Sequence, residues 1–296
     1  MEINWKKIEL ADREIIQSYY QNEKLRNCEA AFANNYLWAP HYDMVYTVLN
    51  GMLVFLVQKE TYSVSFPLGQ GDLQGTIDGL MAYFEEQGRA FQMHLVSQEQ
   101  YERLEALYPG RFAIRYDRDV ADYVYESEKL ITLSGKKLHG KRNHINKFKE
   151  MNPDWRYESI TDENTAECLK MAQEWRILNG CDEDEEKSAE FCVTLNALQM
   201  REELGLTGGL IRAGGRVVAF TLGEPGGGDV FIVHIEKAYA DVQGAYPMIN
   251  QQFVAHEGSG YPYINREEDT GAEGLRKAKL SYQPVMMVEK GIVTLK

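Results

Sequence analysis

The spacing of hydrophobic and polar residues alternates along the chain between a period of two and a helical period, which predicts an α/β fold. Residues 44–49 and 52–57 are rich in β-branched and aromatic side chains. They flank Asn50-Gly51, the strongest short signal for a β-hairpin. Residues 72–87 carry apolar side chains at helical spacing and predict an amphipathic helix. The first half is therefore predicted to contain helices, three meandering strands, a helix, a strand, a helix and a strand.

A second series in the same order begins near residue 128. Its first helix, residues 138–151, is basic and is stopped by Asn152-Pro153. The predicted strands of this half are residues 210–213, 216–222, 230–236, 263–265, 285–288 and 292–295. The last two of these strands form a predicted hairpin across Lys290-Gly291.

The repeated order matches the GNAT (acetyltransferase) fold, which is a mixed sheet with helices on both faces. We therefore predict an α/β chain, with a mixed α+β sheet, made of two tandem GNAT-like domains at residues 1–127 and 128–296. A length of 296 residues allows two domains that each bury a core. A single α/β domain with an N-terminal extension is the alternative.

The charge of the chain limits its partners. The formal net charge of −13 repels DNA and anionic lipid, so that phosphate binding requires a local basic patch. Residues 134–149 form such a patch, because they contain six Lys and Arg residues and no acid. This helix is interpreted either as a site for the phosphates of a substrate or as a solvated helix face.

Other sequence features point to an ordinary soluble protein. No apolar run is long enough to form a transmembrane segment, and residues 1–10 lack the apolar centre of a signal peptide, so a cytoplasmic location is expected. The four cysteines are widely spaced and form no Cys-x-x-Cys pair. Free thiols are therefore expected, and no metal site is predicted.

A candidate catalytic pair lies on the strand at residues 230–236. Period-two alternation places His234 and Glu236 on one face, where either is a candidate general base for an attacking amine. The alternative is structural, with His234 hydrogen-bonded in the core and Glu236 paired with Lys237 or Arg212.

A charged turn near the C-terminus is the second candidate site. Arg266 lies at the carboxyl end of a predicted strand, where α/β sheets tend to bind ligands. The predicted substrate-binding residues are Lys141, Arg142, Asn143, Arg266, Glu267, Asp269, Arg276 and Lys279. The structural alternative is a capping box between Thr270 and Glu273 at the start of a helix whose charges suit its dipole.

The segments 135–148 and 266–284 are the most distinctive in the chain, and together they resemble a bacterial family grouped with the C-terminal catalytic domain of phosphatidylglycerol lysyltransferase. The resemblance implies a tandem GNAT-like fold that Fem-type peptidyl transferases also use. Those enzymes take an aminoacyl group from aminoacyl-tRNA and place it on an amine or a hydroxyl. The implied partners are a tRNA acceptor end and a small-molecule or peptidyl amine, or a lipid head group.

The donor remains open between acyl-CoA and aminoacyl-tRNA. GNAT enzymes bind the pyrophosphate of coenzyme A with a Gln/Arg-x-x-Gly-x-Gly/Ala loop, and the corresponding junction here begins at Asp241, whose carboxylate repels pyrophosphate. We predict an acyl- or aminoacyltransferase that has its site in the second half. A CoA-dependent N-acetyltransferase and a catalytically silent ligand-binding protein of the same fold are the alternatives.

Overall fold

The structure is a computed structural model that describes residues 3–20, 23, 25–59, 61–181 and 184–296. Twelve strands of these described residues form one mixed sheet. The strands are β1 (Lys6–Lys7), β2 (Met44–Leu49), β3 (Met52–Val57), β4 (Ser63–Val64), β5 (Gln92–Ser97), β6 (Phe112–Glu126), β7 (Arg156–Ser159), β8 (Thr207–Ala213), β9 (Arg216–Pro225), β10 (Val230–Ala238), β11 (Tyr263–Asn265) and β12 (Met286–Leu295). Their order across the sheet is β1-β2-β3-β4-β5-β12-β6-β11-β10-β9-β8-β7.

Eleven α-helices of the described residues pack on this sheet, and a 3-10 helix, Leu10–Asp12, precedes the first of them. The helices are α1 (Arg13–Tyr20), α2 (Phe32–Tyr42), α3 (Leu73–Glu86), α4 (Gln98–Leu107), α5 (Ser127–Thr132), α6 (His139–Met151), α7 (Asp162–Leu178), α8 (Glu185–Gln199), α9 (Arg201–Leu204), α10 (Ala245–Phe253) and α11 (Glu273–Leu280). A π-helical turn, Val254–Gly258, follows α10. None of the helices in the described part of the chain combines the length and the apolarity that a membrane crossing requires.

The local signals in the first half correspond to the observed elements. β2 and β3 form the hairpin predicted at Asn50-Gly51, and both turn residues have positive φ, 51° and 78°, as a two-residue hairpin turn requires. The Asp72 side chain accepts a hydrogen bond from the Gly75 N–H and caps α3. β6 is 15 residues long, because residues 117–126 continue it toward the second half.

In the second half, β8, β9 and β10 form an antiparallel meander, and β10 pairs in parallel with β11. A β-bulge between Val233 and Ile235 interrupts the alternation of β10. The prediction that His234 and Glu236 share a face rested on uninterrupted alternation. The bulge removes this basis, and the two side chains contact different groups.

The predicted C-terminal hairpin is wrong. Residues 286–295 form the single strand β12, which lies between β5 and β6 in the middle of the sheet. Gly291 marks a close approach of two strands and no turn, because a Cβ atom there would lie 2.6 Å from the Arg115 carbonyl oxygen. The strand thus joins the two halves, and the domain boundary at residues 127 and 128 stays a prediction.

The hydrophobic core extends beneath the whole sheet. The buried apolar side chains of the described residues form one large cluster that spans both halves, together with a small cluster around Cys28. Aromatic side chains fill much of it, and Phe84, Phe112, Phe220 and Phe253 are all fully buried. Within this sheet, the central strands β12 and β6 carry the buried ion pair of Lys290 and Asp122.

Candidate functional site

A cavity of about 310 Å³ lies between α2, the strands β3 to β5 and the turn that follows β11. Trp38, Phe55 and Phe66 contribute aromatic side chains to its lining. Its charged lining residues are Glu29, Lys59, Glu186, Glu268 and Lys290. An apolar cavity with a few converging charged groups is the usual form of a small-molecule site.

Lys290 is the centre of the charged part of this cavity. Its side chain is 0% exposed, and Nζ donates to Glu29 Oε1 at 2.6 Å and to Asp122 Oδ1 at 2.8 Å. Burial by itself lowers the pKa of Lys290, but the neighbouring charges, Asp122 above all, raise it well above its usual value. Lys290 is therefore a fixed positive charge at neutral pH.

Besides pairing with Lys290, Asp122 is held by two further hydrogen bonds. Its Oδ2 atom accepts hydrogen bonds from the Cys28 backbone N–H at 2.8 Å and from Asn265 Nδ2 at 2.9 Å. The ligand atoms of Cys28, Glu29 and Asp122 lie within 4.8 Å of one another, a spacing that suits a metal ion. Lys290 Nζ already occupies their common centre, so these residues are better explained as an ion cluster.

Glu268 faces the same cluster from the turn after β11. Its Oε2 atom lies 3.8 Å from Lys290 Nζ and accepts a hydrogen bond from Cys28 Sγ at 3.5 Å. Its side chain is 28% exposed and contributes to the cavity lining. Burial, with the negative charges of Asp122 and Glu267, raises the pKa of Glu268 to about 8 against the opposing effect of Lys290. This carboxyl can therefore bind and release a proton near neutral pH.

His234 is bonded at both ring nitrogens. Nδ1 lies 2.6 Å from Glu267 Oε1, and Nε2 lies 3.1 Å from Glu224 Oε1. Burial lowers the pKa of His234, but hydrogen bonds to the two carboxylates raise it to about 10. The ring therefore carries both protons at neutral pH and cannot accept another. Its role as a general base stays a prediction that this geometry does not favour.

Glu236 has a different set of partners from those proposed in the structural alternative. Its Oε1 accepts from Arg266 Nη2 at 2.8 Å, and its Oε2 accepts from Asn250 Nδ2 at 3.0 Å. The expected partners bind elsewhere, since Arg212 pairs with Glu158 and Glu167, and Lys237 pairs with Glu190. Pairing of Glu236 with Lys237 or Arg212 is therefore wrong.

The structure brings Lys141 next to Arg266, although they are far apart in the sequence. Lys141 Nζ lies 4.0 Å from the ring centroid of Tyr282, and the Arg266 guanidinium carbon lies 4.7 Å from it. Burial, followed by the charge of Arg266, lowers the pKa of Lys141 to about 8. Two predicted substrate-binding residues thus meet on one aromatic ring.

Asp269 organises the turn. It is fully buried and accepts hydrogen bonds from Arg276 Nε at 2.9 Å, Arg276 Nη2 at 2.6 Å and the Tyr123 hydroxyl. Its Oδ1 atom also accepts from the Gly271 N–H at 3.0 Å. The predicted capping box between Thr270 and Glu273 is wrong, because the residue before α11 is Ala272 and no side chain caps this helix. Asp269 and Arg276 thus hold the turn.

The side chains of the remaining predicted binding residues form hydrogen bonds within the chain itself. Lys279 is buried, and its Nζ donates to the carbonyl oxygens of Arg266, at 2.7 Å, and Glu268. Arg142 donates to carbonyl oxygens at the end of α5, and Asn143 lies 3.2 Å from His139. Lys279 thus stabilises the backbone of the turn through hydrogen bonds. Arg142 and Asn143 lie apart from the turn and from the ion cluster.

The junction that holds pyrophosphate in GNAT enzymes is poorly suited to it here. The Ala245 N–H already donates to the Val242 carbonyl at 3.1 Å, and Pro247 has no N–H to offer. The preceding Gly244 packs against α6, since a Cβ atom there would lie 2.4 Å from the His144 carbonyl oxygen. With Asp241 nearby, few donors and a negative charge remain for a coenzyme A pyrophosphate.

Five members of the ion cluster were missed by the sequence analysis: Cys28, Glu29, Asp122, Glu268 and Lys290. A usable signal exists for two of them. Asp122 interrupts an apolar and aromatic run at residues 120–125, and Lys290 interrupts one at residues 285–295. Charged residues inside such runs are buried only when they are paired.

The family model "Phosphatidylglycerol lysyltransferase, C-terminal" matches residues 21–293. A conserved protein of unknown function from Bacteroides thetaiotaomicron has 42% identity, a TM-score of 0.95 and 100% coverage of both chains. An uncharacterised protein of Mycoplasmoides gallisepticum is 25% identical over 189 residues, which are 60% of this chain and 59% of that one. The chain thus matches about three fifths of the length of this curated relative.

Two more distant structures show the fold alone. The L-PGS structure from Bacillus licheniformis has 15% identity and a TM-score of 0.66, with coverage of 98% of this chain and 94% of that chain. A tandem GNAT protein from the clavulanic acid biosynthesis pathway has 7% identity and a TM-score of 0.50, with coverage of 99% and 98%. The predicted α/β fold of tandem GNAT-like architecture is confirmed.

Proposed function

The chain belongs to the family of the C-terminal domain of phosphatidylglycerol lysyltransferase, and on this premise we propose that it is an acyltransferase that moves an aminoacyl group onto an amine or a hydroxyl. The observation that carries the proposal is the position of Glu268 in the lining of an aromatic cavity, 3.8 Å from the buried ammonium of Lys290, where burial raises the pKa of this carboxyl to about 8. A general base is most effective when its pKa lies near the operating pH.

The charge of the cavity suits an aminoacyl group. With Asp122 behind the lining, the three carboxylates of Glu29, Glu186 and Asp122 face the two ammonium groups of Lys59 and Lys290, so one negative charge is in excess even while Glu268 is protonated. An α-ammonium group is attracted to such a site, and the aromatic walls accommodate an apolar side chain or stack on a cation. A neutral acetyl group gains nothing from this charge.

The proposed step uses Glu268 in its ionised form. The acceptor nitrogen attacks the carbonyl carbon of the donor ester, and Glu268 takes the proton that this nitrogen loses. The new C–N bond forms, the ester C–O bond breaks, and the leaving hydroxyl receives the proton from Glu268. The positive charge of Lys290 favours the oxyanion that develops on the carbonyl oxygen.

The donor proposed is an aminoacyl ester of the kind carried by aminoacyl-tRNA. Acyl-CoA is less well supported, because the junction at Asp241 and Pro247 offers few N–H donors to a pyrophosphate. Small or peptidyl amines and lipid head groups are the proposed acceptors. A silent ligand-binding protein is the second candidate, favoured by the loss of that loop.

The test is transfer of a labelled aminoacyl group from a panel of charged tRNAs to amine acceptors. Glu268→Gln should reduce the turnover rate by roughly a hundredfold or more, because the amide cannot accept the proton. The wild-type rate should rise as the pH passes through about 8, since ionised Glu268 is the active form. Glu273→Gln, an exposed position at the start of α11, is the matched control and should have no effect.

Full activity of Glu268→Gln would remove Glu268 from the mechanism. Binding of aminoacyl esters without transfer to any acceptor would instead favour the silent ligand-binding protein. Both measurements use the intact chain, and thermal unfolding of each variant verifies that the fold is retained.

A further inference from the structure

A second cavity, of about 190 Å³, lies where β5 ends and α4 begins. Three stretches of the chain line it, namely residues 25–27, residues 97–99 and residues 286–289. Asn27 belongs to this lining and also to the lining of the first cavity, which contains Glu268. The two cavities therefore share one side chain.

Residues 286–289 of β12 line the second cavity along an open strand edge. Successive side chains of a strand point to opposite faces, so a cavity that four consecutive residues line lies along the edge of the strand. β5 pairs with β12 only from Lys290 onward, because the partner of Lys290 is Ser97 and α4 begins directly after it. Among the described strands, only β6 pairs with residues 286–288. The backbone N–H and C=O groups on the other side of this stretch are therefore available to an extended peptide.

Asn27 contributes a buried acceptor to the second cavity. Its side chain is 5% exposed, and its Oδ1 atom has no hydrogen-bond partner among the described residues. Its Nδ2 atom donates to Glu29 Oε2 at 2.7 Å, and Glu29 in turn accepts from Lys290. Glu29 thus fixes the orientation of the amide and leaves the oxygen free. Because a buried acceptor without a donor is unfavourable, a ligand N–H group that reaches Asn27 gains a hydrogen bond.

The charges of the second cavity favour a cationic ligand. The Arg26 guanidinium donates to both carboxylate oxygens of Asp229, at 2.8 and 2.7 Å, and is neutralised by this pair. The other charged lining residues are Glu99 and Glu289, and both are exposed. Negative charge is therefore in excess, and an ammonium group is attracted to this lining.

We propose that the second cavity binds the acceptor of the transfer reaction, and that this acceptor is an extended peptide with a primary amine on a side chain. The peptide backbone pairs with the open edge of β12 as an added strand. The amine donates a hydrogen bond to Asn27 Oδ1, at the wall that the two cavities share. The role of the peptide as acceptor rests on the proposed function, whereas its binding does not.

The test is isothermal titration of the intact chain, at pH 7 and low salt, with the blocked tripeptide acetyl-alanyl-lysyl-alanine amide. The same peptide with norleucine in place of lysine should bind at least tenfold more weakly, because it lacks both the charge and the hydrogen bond of the amine. n-Butylamine has the amine without the backbone and should also bind more weakly. Equal binding of the norleucine peptide would show that the amine is not recognised, and equal binding of n-butylamine would show that the strand edge is not used. Either result overturns the proposal.

Two sets of variants test the lining. Asn27→Leu should weaken binding of the lysine peptide by about tenfold and leave the norleucine peptide unaffected, because only the acceptor of the amine is lost. This change also removes the hydrogen bond to Glu29, so the combined variant Glu99→Gln and Glu289→Gln alters exposed side chains alone. It should weaken the lysine peptide severalfold at low salt and by less at high salt.

Glu163→Gln is the matched control for the charge variant. Glu163 is an exposed acid in the first turn of α7, as Glu99 is in the first turn of α4. The control should bind the lysine peptide as the wild type does. An equal loss in the control would indicate general attraction by the negative chain and would overturn the proposal. Thermal unfolding verifies that each variant is folded.

The peptide site and the proposed reaction fail in different ways. Glu268→Gln should bind the lysine peptide as the wild type does and transfer nothing to it, because Glu268 lines the first cavity and not the second. Absence of peptide binding at millimolar concentration overturns the site and leaves transfer to small amines untouched. Transfer to small amines but not to the bound peptide overturns its role as acceptor. Peptide binding with the expected preferences, but without transfer to any amine, supports the site and contradicts the proposed reaction.

Discussion

The protonation of Glu268 affects both the proposed reaction in the cavity and the stability of the folded chain. The folded state keeps this carboxyl largely protonated at neutral pH, because burial and neighbouring carboxylates raise its pKa to about 8. In the unfolded chain the same carboxyl titrates near its ordinary value of about 4.3. The difference between the two states couples folding to pH.

Replacing Glu268 by Gln should flatten the pH dependence of stability. Between about pH 4.5 and 8 the unfolded chain binds fewer protons at this position than the folded chain, so the contribution of Glu268 to the free energy of unfolding falls as the pH rises. Urea unfolding at pH 5 and pH 8 measures this fall, which should be smaller in Glu268→Gln than in the wild type. Glu273→Gln should leave it unchanged, and an equal fall in all three proteins would contradict the raised pKa.

At this scale the sequence predicted part of the site. It indicated Arg266 and Lys141, because one ends a strand and the other lies in an acid-free basic helix. It did not indicate Lys290, because Lys290-Gly291 has the composition of a turn. Gly291 allows β12 to approach the backbone of Arg115 closely. This close approach becomes visible only when β12 is paired with β6.

Helix α6 has a structural role in addition to carrying positive charge. It packs on the turn before α10, where Gly244 has φ of 85° and lies close to the His144 carbonyl. The helix thus covers the junction that a coenzyme would need, and at the same time presents Lys141 to Tyr282.

Gly244→Ala should destabilise the chain by about 2–4 kcal/mol, because a Cβ atom meets both an unfavourable φ and the α6 backbone. Gly215→Ala is the matched control, since Gly215 has φ of 75° and no neighbour within 4 Å of its Cβ position. The control should cost only the backbone term of about 1–2 kcal/mol. The difference between the two losses in the free energy of unfolding, measured by urea unfolding, gives the cost of the contact with α6. Equal losses would show that α6 moves away from the new Cβ atom at no cost.

Elements with local signals were predicted well, and those defined by distant partners were not. The β2–β3 hairpin, α3 and β11 were predicted from signals within their own sequences, such as a turn dipeptide or the spacing of apolar residues. β12 and the extension of β6 depend on each other, and their paired residues, such as Lys290 and Asp117, are far apart along the chain. No window of a single sequence contains both partners of such a pair.

For the molecule as a whole, the continuous sheet predicts one cooperative unit. β12 pairs with β5 of the first half and with β6, which in turn pairs with β11 of the second half. Opening either half therefore breaks strand pairs that the other half needs.

Native-state hydrogen exchange tests this cooperativity. The slowest amides of β3 and β9, which lie in different halves, should open with the same free energy to within about 0.5 kcal/mol. Their values should also fall together as denaturant is added. Two clearly different free energies would show that the halves open separately, which would support the predicted boundary at residues 127 and 128.

The central position of β12 also has a consequence for biosynthesis. All the other strands of the described sheet precede β12 along the chain, so that β5 and β6 leave the ribosome with a gap between them and with exposed strand edges. Lys290 arrives on this last strand, and until then Asp122 and Glu29 lack their counter-ion. The ion cluster of Glu29, Asp122 and Lys290 therefore forms only after β12 has emerged, and a nascent chain that stalls before β12 lacks the Lys290 ammonium between these carboxylates.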